Sequence, residues 1–415
     1  MAAMSKLFEY LIENDVKCTN FFHKYSCKTN SLLITYKFLL SNMKYFAPII
    51  GLPLLLRIRS LNKKVLLATL QYYVEAVMTG TAIGWSVIVS ICISRHIFGK
   101  FTYLSTLLLP TFVGSFGQYI VPSPRVHRLF AITIFQCTLE SLIIQKKTVL
   151  AKLIANSSLL RTFMFMCFSA LILDVKRRKA FNGFWLMEPT PQNAATVDQE
   201  ANGDNGTCNS TCGHKIKSCK QYALQGIRNF MITGLALDAI KMLLANVPAD
   251  VNGFTAKLWV KLKTFKIRSA ALLTSYVAIY RLLHCYFNRN FGGDSQLKHA
   301  AAAFLSGSSF IFFPKLTLLC YALILGVQIC WKELTTYLSA ERYGGTFEWV
   351  QRLPCTLILY PAALAYLVHT HAIRKHYTNK LGGLVINGLT NNYVKFVQAS
   401  FGKIEQHLAQ CPPAL

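Results

Sequence analysis

Charge is scarce in this chain. Of its 415 residues 15% are Asp, Glu, Lys or Arg, against about a quarter in a typical soluble domain. Acids are scarcest, at 17 against 44 Lys plus Arg. That balance argues against an ordinary soluble enzyme, and 13 Cys are too dilute for a disulfide mini-domain. No phosphate-cradling Walker loop occurs. Histidines number ten and are scattered, so His369-x-His371-x4-His376 lacks the facing histidines that a membrane di-iron centre needs. The first apolar patch, Leu7 to Ile12, is short and interrupted by Glu9, so no cleavable signal is expected there. Glu13 and Asp15 argue against an acid-poor mitochondrial presequence.

What the chain has in quantity is apolar residue, 53% of the total, with a mean hydropathy of +0.36. The apolar runs are separated by basic clusters such as Arg57, Arg59, Lys63 and Lys64, or Lys257, Lys261, Lys263 and Lys266. Clusters of this kind anchor helices to anionic head groups, which accounts for the net charge of +27 without nucleic acid. Membrane lipid is the expected partner. Ten apolar stretches are candidate spans: 31–56, 72–94, 101–121, 129–145, 153–174, 222–245, 269–288, 299–314, 316–331 and 353–370. The clearest are Ala76 to Ser94 and Phe101 to Val121, both uncharged and near the ~20 residues that cross a bilayer core. Stretches 31–56 and 222–245 carry internal charge and also suit interfacial helices. Lys and Arg divide almost evenly between the two sides of such a chain, so the positive-inside rule gives no orientation.

One polar stretch breaks this pattern. Residues 188–217 hold Pro189, Pro191, Gly203, Gly206 and four acids, and they read as a linker between two halves. The halves echo each other. Phe98-Gly99 recurs as Phe291-Gly292, Gly114-Ser115 as Gly307-Ser308, and Cys137-x-x-Glu140 as Cys330-x-x-Glu333, always 193 positions on. Ser26-Cys27-Lys28 recurs as Ser218-Cys219-Lys220. The expected fold is therefore all-α: a polytopic helical membrane protein built from two sequence repeats of about four to five apolar helices each. The expected divisions are a first membrane repeat over 1–187, the linker 188–217, a second repeat over 218–380 and a tail over 381–415.

The candidate functional residues follow from that repeat. Glu140 and Glu333 each sit late in an apolar run, where a carboxylate is costly. They suit a symmetric intramembrane polar pair, or two acids snorkelling to the interface. Gly99, Gly114, Gly292 and Gly307 are the repeat-loop glycines, and Gly80-x-x-x-Gly84 has the spacing of close helix packing. Cys208-x3-Cys212-x-His214-x4-Cys219 offers zinc-ligand types at a spacing that matches no standard finger, with plain loop thiols as the alternative. Cys18, His23 and Cys27 make a second loose cluster. Cys92, Cys137, Cys167 and Cys320, single thiols in apolar runs, read as small hydrophobes. No nucleophile, metal box or acid–base pair stands out, so no catalytic residue and no cofactor are expected.

Ser26-Cys27, Ser31-Leu-Leu-Ile-Thr35 and Ala47-Pro48 resemble the cysteine-rich amino-terminal region of the transmembrane protein 135 family. Cys219, Gly226, Arg228, Phe230, Ser275 to Tyr280, His299-Ala300, Ser306-Gly307-Ser308 and Pro354 resemble that family's carboxyl-terminal half. Arg289, Asp294 and His299 to Gly307 are also similar to a loose form of the signature of the mitochondrial import translocase (Tim) superfamily, which includes a peroxisomal membrane protein. This chain has Ala302 or Ala303 where that signature has glycine. The resemblance implies a non-enzymatic multi-pass protein of mitochondrial or peroxisomal membranes, associated with mitochondrial dynamics (fission) and peroxisomal lipid balance. Its implied partners are organelle-dynamics proteins or a second copy of the chain. The alternative is a lipid or small-solute transporter or channel with its path between the repeats.

Overall fold

Long apolar runs that are poor in charge leave backbone groups no water to bond, and they close their own hydrogen bonds as helices. The computed structural model describes residues 2–23, 25–56, 62–179, 181, 183–189, 218–244, 267–291, 295–341 and 355–410. Among these, helix is the sole regular structure. The α-helices are α1 (Ala2–Glu13), α2 (Cys18–Phe21), α3 (Cys27–Leu56), α4 (Lys63–Phe98), α5 (Leu109–Gly114), α6 (Pro124–Ile144), α7 (Val149–Asn156) and α8 (Ser158–Arg177). After the linker come α9 (Cys219–Leu244), α10 (Arg268–Asn290), α11 (Gln296–Ser306), α12 (Leu316–Glu341), α13 (Cys355–Ile373), α14 (Lys380–Leu389) and α15 (Tyr393–Gln410).

Among the described residues, five helices are long and apolar enough to cross a membrane: Lys63–Phe98, Pro124–Ile144, Ser158–Arg177, Leu316–Tyr337 and Thr356–Ile373. The stretch 72–94 lies within the longest of them, α4. Its 36 residues reach about 54 Å, well beyond a ~30 Å hydrocarbon core. Gly99 ends it by adopting a left-handed φ of 66°, where its N–H bonds the Arg95 carbonyl at 3.1 Å. A side chain there would be strained, which is why the helix stops at a glycine.

The stretch 101–121 is continuously helical from Tyr103 to Ile120, but its hydrogen-bond pattern changes along it. It runs as a π turn (Leu104–Leu108), then α5, then a 3₁₀ turn (Ser115–Ile120). Pro110 has no N–H to continue the α ladder, and the extra residue of the π turn absorbs the mismatch. The stretch 299–314 changes pattern in a similar way. Eleven-residue α11 passes into a 3₁₀ turn at Gly307–Phe312 before Pro314.

The chain forms two compact units, one from 1–151 with 349–415 and one from 152–348. These units do not follow the halves on either side of the linker. In the first unit α3 packs on α4, α4 on α5 and the 3₁₀ turn, and α6 on α13. Its core includes Phe38, Phe130, Ile134, Tyr360 and Leu367. In the second unit α9 packs on α10, α10 on α11 and its 3₁₀ turn, and α8 on α11 and α12. There Phe165 stacks on Phe310 at 4.6 Å between ring centres and on Trp185 at 5.8 Å.

The α5–α4 contact is backbone on backbone: a Cβ on Gly114 would run into the main chain of Val87. Gly114→Leu should therefore destabilise the protein by about 1–3 kcal/mol through overpacking. Thermal unfolding in detergent measures this, with Gly402→Leu, in helix α15 at a site open to space and so not destabilised, as the control.

Candidate functional site

The two glutamates of the repeat lie in different units and different surroundings. Glu140, late in α6, is 8% exposed. Its Oε2 accepts a 2.8 Å hydrogen bond from Asn379 Nδ2. Asn379 in turn caps α14, its Oδ1 accepting from the Gly382 N–H at 2.9 Å. Its own N–H bonds Ser141 Oγ at 3.2 Å. Asn379 thus satisfies a buried carboxylate and a helix end at once. Glu333, on α12, has a side chain 43% exposed and lies 3.7 Å from the Arg178 guanidinium.

A second polar array runs along α10. Tyr276, Tyr280, His284 and Asn288 recur every four residues, and all four are buried. The i, i+4 spacing puts them on one face of the helix. Trp185 Nε1 donates to Tyr276 Oη at 2.8 Å, and Ser169 Oγ lies 2.6 Å from that hydroxyl. Tyr280 Oη and His299 Nδ1 share a 2.7 Å hydrogen bond. Burial, then the nearby Arg177 charge, holds His299 down to about 4. At the other end of the same helix Asp238 of α9 accepts the backbone N–H groups of Ser269 and Ala270 at 2.9 and 3.1 Å. Arg281 donates to the Tyr222 carbonyl at 2.6 Å, lies over the Tyr222 ring and occupies the space where Gly226 has no side chain. Asp238 and Arg281, charges at apparent membrane depth in sequence, therefore satisfy backbone groups.

The third array is the densest in ligand chemistry. Cys18 opens the one-turn helix α2, His23 follows it, Cys27 starts α3, and Cys92 faces them from α4. Their Sγ and Nε2 atoms all lie within 4.8 Å of one another. The turn is set by packing: Phe22 meets Phe21 at 4.8 Å and Phe101 at 5.3 Å, and Phe21 meets Phe401 at 4.9 Å. Polar ties add to this. Arg95 Nη2 pairs with Asp15 at 2.6 Å, Arg95 Nε donates to the Val16 carbonyl, and Tyr393 Oη donates to the Phe22 carbonyl at 2.7 Å. The Cys18 thiol is held below its ordinary range, chiefly by a hydrogen bond from Cys92, with the Arg95 charge assisting against burial. Burial pushes the Cys27 thiol up.

The remaining sequence candidates are placed as follows. Gly80 and Gly84 of α4 face Asn42 and Phe38 of α3, leaving no room for side chains. Gly114 and Gly307 lie at junctions between an α-helix and a 3₁₀ turn and so inside helical structure, not in loops. Gly307 abuts the Met166 main chain of α8. Gly292, Cys208, Cys212 and His214 lie outside the described residues, and Cys219 begins α9. Sequence reasoning missed Cys92, far along the chain from its partners, and Asn379, an unremarkable polar residue before a glycine pair. The four-residue polar period on α10 was legible and went unread. No protein family, curated protein or solved structure matches the chain.

Two outcomes are expected. Asn379→Ala should cost about 1–3 kcal/mol, since it strips the buried Glu140 carboxylate of a donor and α14 of its cap. Thermal unfolding measures it. The lowered His299 value means the unfolded chain binds that proton before the native one does. Stability should therefore fall as pH drops from 6.5 towards about 4. His299→Gln should flatten that dependence between about pH 7 and about pH 5.

Proposed function

We propose that this chain is a non-enzymatic, multi-pass protein of an organelle membrane, mitochondrial or peroxisomal. It serves mitochondrial dynamics and lipid balance through protein partners. The membrane part rests on one observation above all. Down α4, Leu66, Leu70, Val74, Met78, Trp85, Ile93 and Ile97 point outward and are 38–69% exposed. A soluble helix turns polar residues to that face, so an apolar stripe along the whole helix needs lipid. The organelle and the process are supported by the resemblance of residues 26–48 and 219–354 to the transmembrane protein 135 family.

The proposed architecture is two copies of one five-helix module whose last helices are exchanged. Support comes from the order of contacts within each unit. Helices α3, α4, α5, the 3₁₀ turn and α6 of the first unit correspond to α9, α10, α11, the 3₁₀ turn and α12 of the second. The fifth place beside α6 is taken by α13 and the fifth place beside α12 by α8, each from the opposite half of the chain. Thr138 Oγ1 donates to the Ala363 carbonyl at 3.1 Å, and Ser169 Oγ to the Ala303 carbonyl at 3.2 Å.

Cysteine pairs at Thr138/Ala363 and at Ser169/Ala303 should each cross-link within one chain, read by peptide mass spectrometry. Failure of both would remove the exchange. A tagged full chain should resist carbonate extraction and co-localise with mitochondrial or peroxisomal markers. Its depletion should change mitochondrial length. A chain found at the plasma membrane alone, or released by carbonate, would sink the reading.

A lipid-carrier reading has one observation in its favour, an apolar cavity of about 80 Å³ within the first unit, bordered by Phe38, Gly84, Ile88, Leu107, Ile134 and Leu364. It suits part of an alkyl chain and no head group. On this reading Ile134→Trp slows the transfer of a labelled fatty acid between liposomes that carry the protein. Absence of transfer by the unaltered chain would end it.

A further inference from the structure

We propose that Cys18, His23, Cys27 and Cys92 form a structural zinc(II) site that fastens the amino-terminal segment to the carboxyl end of α4.

Two of the distances between the ligand atoms match the edges of a coordination shell. His23 Nε2 lies 3.5 Å from Cys27 Sγ and 3.6 Å from Cys92 Sγ. With Zn–S of about 2.3 Å and Zn–N of about 2.0–2.1 Å at tetrahedral angles, the N···S edge is about 3.5–3.6 Å. The wider limit of 4.8 Å across all four ligand atoms admits the longer sulfur–sulfur edges.

The histidine is oriented as a ligand is. Its Nδ1 faces the Tyr25 carbonyl at 2.6 Å, so Nδ1–H donates outward and the Nε2 lone pair points at the thiols. Metal-bound imidazoles are fixed by this second hydrogen bond. The imidazole nitrogen and the three sulfurs lie close enough together for a single cation to be bound by all four groups.

The donor set selects the metal. Three thiolates and an imidazole suit zinc, and a full set of four protein ligands makes the site closed and structural, not catalytic. Coordination sends the three thiol protons to water and leaves the centre with one net negative charge. The Arg95 guanidinium, anchored to Asp15 and Val16 beside the cluster, is the nearby counter-charge. Cys27 is exposed while Cys18 and His23 are buried, which leaves the ion one side by which to enter.

The test uses full-length protein purified in detergent with reductant and zinc, in a Cys208→Ser/Cys212→Ser background that removes the linker thiols. Elemental analysis should find about one zinc per chain, and cobalt(II) replacement should give the visible bands of a tetrahedral thiolate site. Adding Cys18→Ser/Cys92→Ser should abolish both, and His23→Ala should weaken zinc binding at least tenfold. His23→Cys should keep the zinc and shift the cobalt bands to those of a four-thiolate site, a result that collapse of the fold would not give. The proposal is overturned if the background protein holds no zinc and shows no cobalt bands. It is equally overturned if the Cys18→Ser/Cys92→Ser protein retains its zinc, or if mass spectrometry finds Cys27 and Cys92 joined as a disulfide.

Discussion

A helix end in apolar surroundings leaves backbone N–H and C=O groups with no water to meet them, and the positions of polar side chains in this protein answer that constraint. Ser157 caps α8 by accepting from the Leu160 N–H, and Ser295 caps α11 through Lys298. Asn379 caps α14. Where no local residue serves, another helix reaches across: Asp238 of α9 supplies the start of α10. Arg281 and Arg95 reach backbone carbonyls that are not helix ends, at Tyr222 in the first turn of α9 and at Val16 between α1 and α2. An ion in hydrocarbon is costly, but an ion that completes a helix end offsets a second deficit with the same atoms.

This constraint also explains how far the fold could be read from sequence. Helix as the secondary structure followed from apolar runs with little charge, and α4 and α8 lie over two of those runs, 72–94 and 153–174. Within the 101–121 run hydropathy does not register Pro110, whose missing N–H falls at the junction of the π turn and α5. Charges within apolar runs show a further limit. The partners of Asp238 and Arg281 are main-chain atoms 31 and 59 residues away. Side-chain patterns reveal spacing on one helix; they do not reveal which backbone end a residue will reach.

The cysteine cluster was half legible for a related reason. Cys18, His23 and Cys27 fall within one turn and the start of one helix, so local spacing groups them. Cys92 joins them only because α3 and α4 pack as neighbours, bringing residues 27 and 92 to one place. An isolated thiol in an apolar run carries no mark of that. The same limit applies to Glu140, whose partner Asn379 lies 239 residues on.

Helix packing inside a bilayer gains little from the hydrophobic effect, since lipid is as apolar as a side chain, so close contact and specific polar ties must hold such a bundle. The first unit shows both. Gly80 and Gly84 let α3 approach α4 closely, and Gly114 lets α5 do so from another side. Yet α2 has four residues, too few to be stable as a helix or to bury much surface. Its position depends on the aromatic rings of Phe21, Phe22, Phe101 and Phe401 and on ties from Arg95, Tyr393 and the thiol–imidazole group. The shortest α-helix among the described residues is thus held by directed contacts, as expected where surface burial alone cannot fix it. Loss of those contacts would free the segment ahead of α3 while the long apolar helices stayed packed.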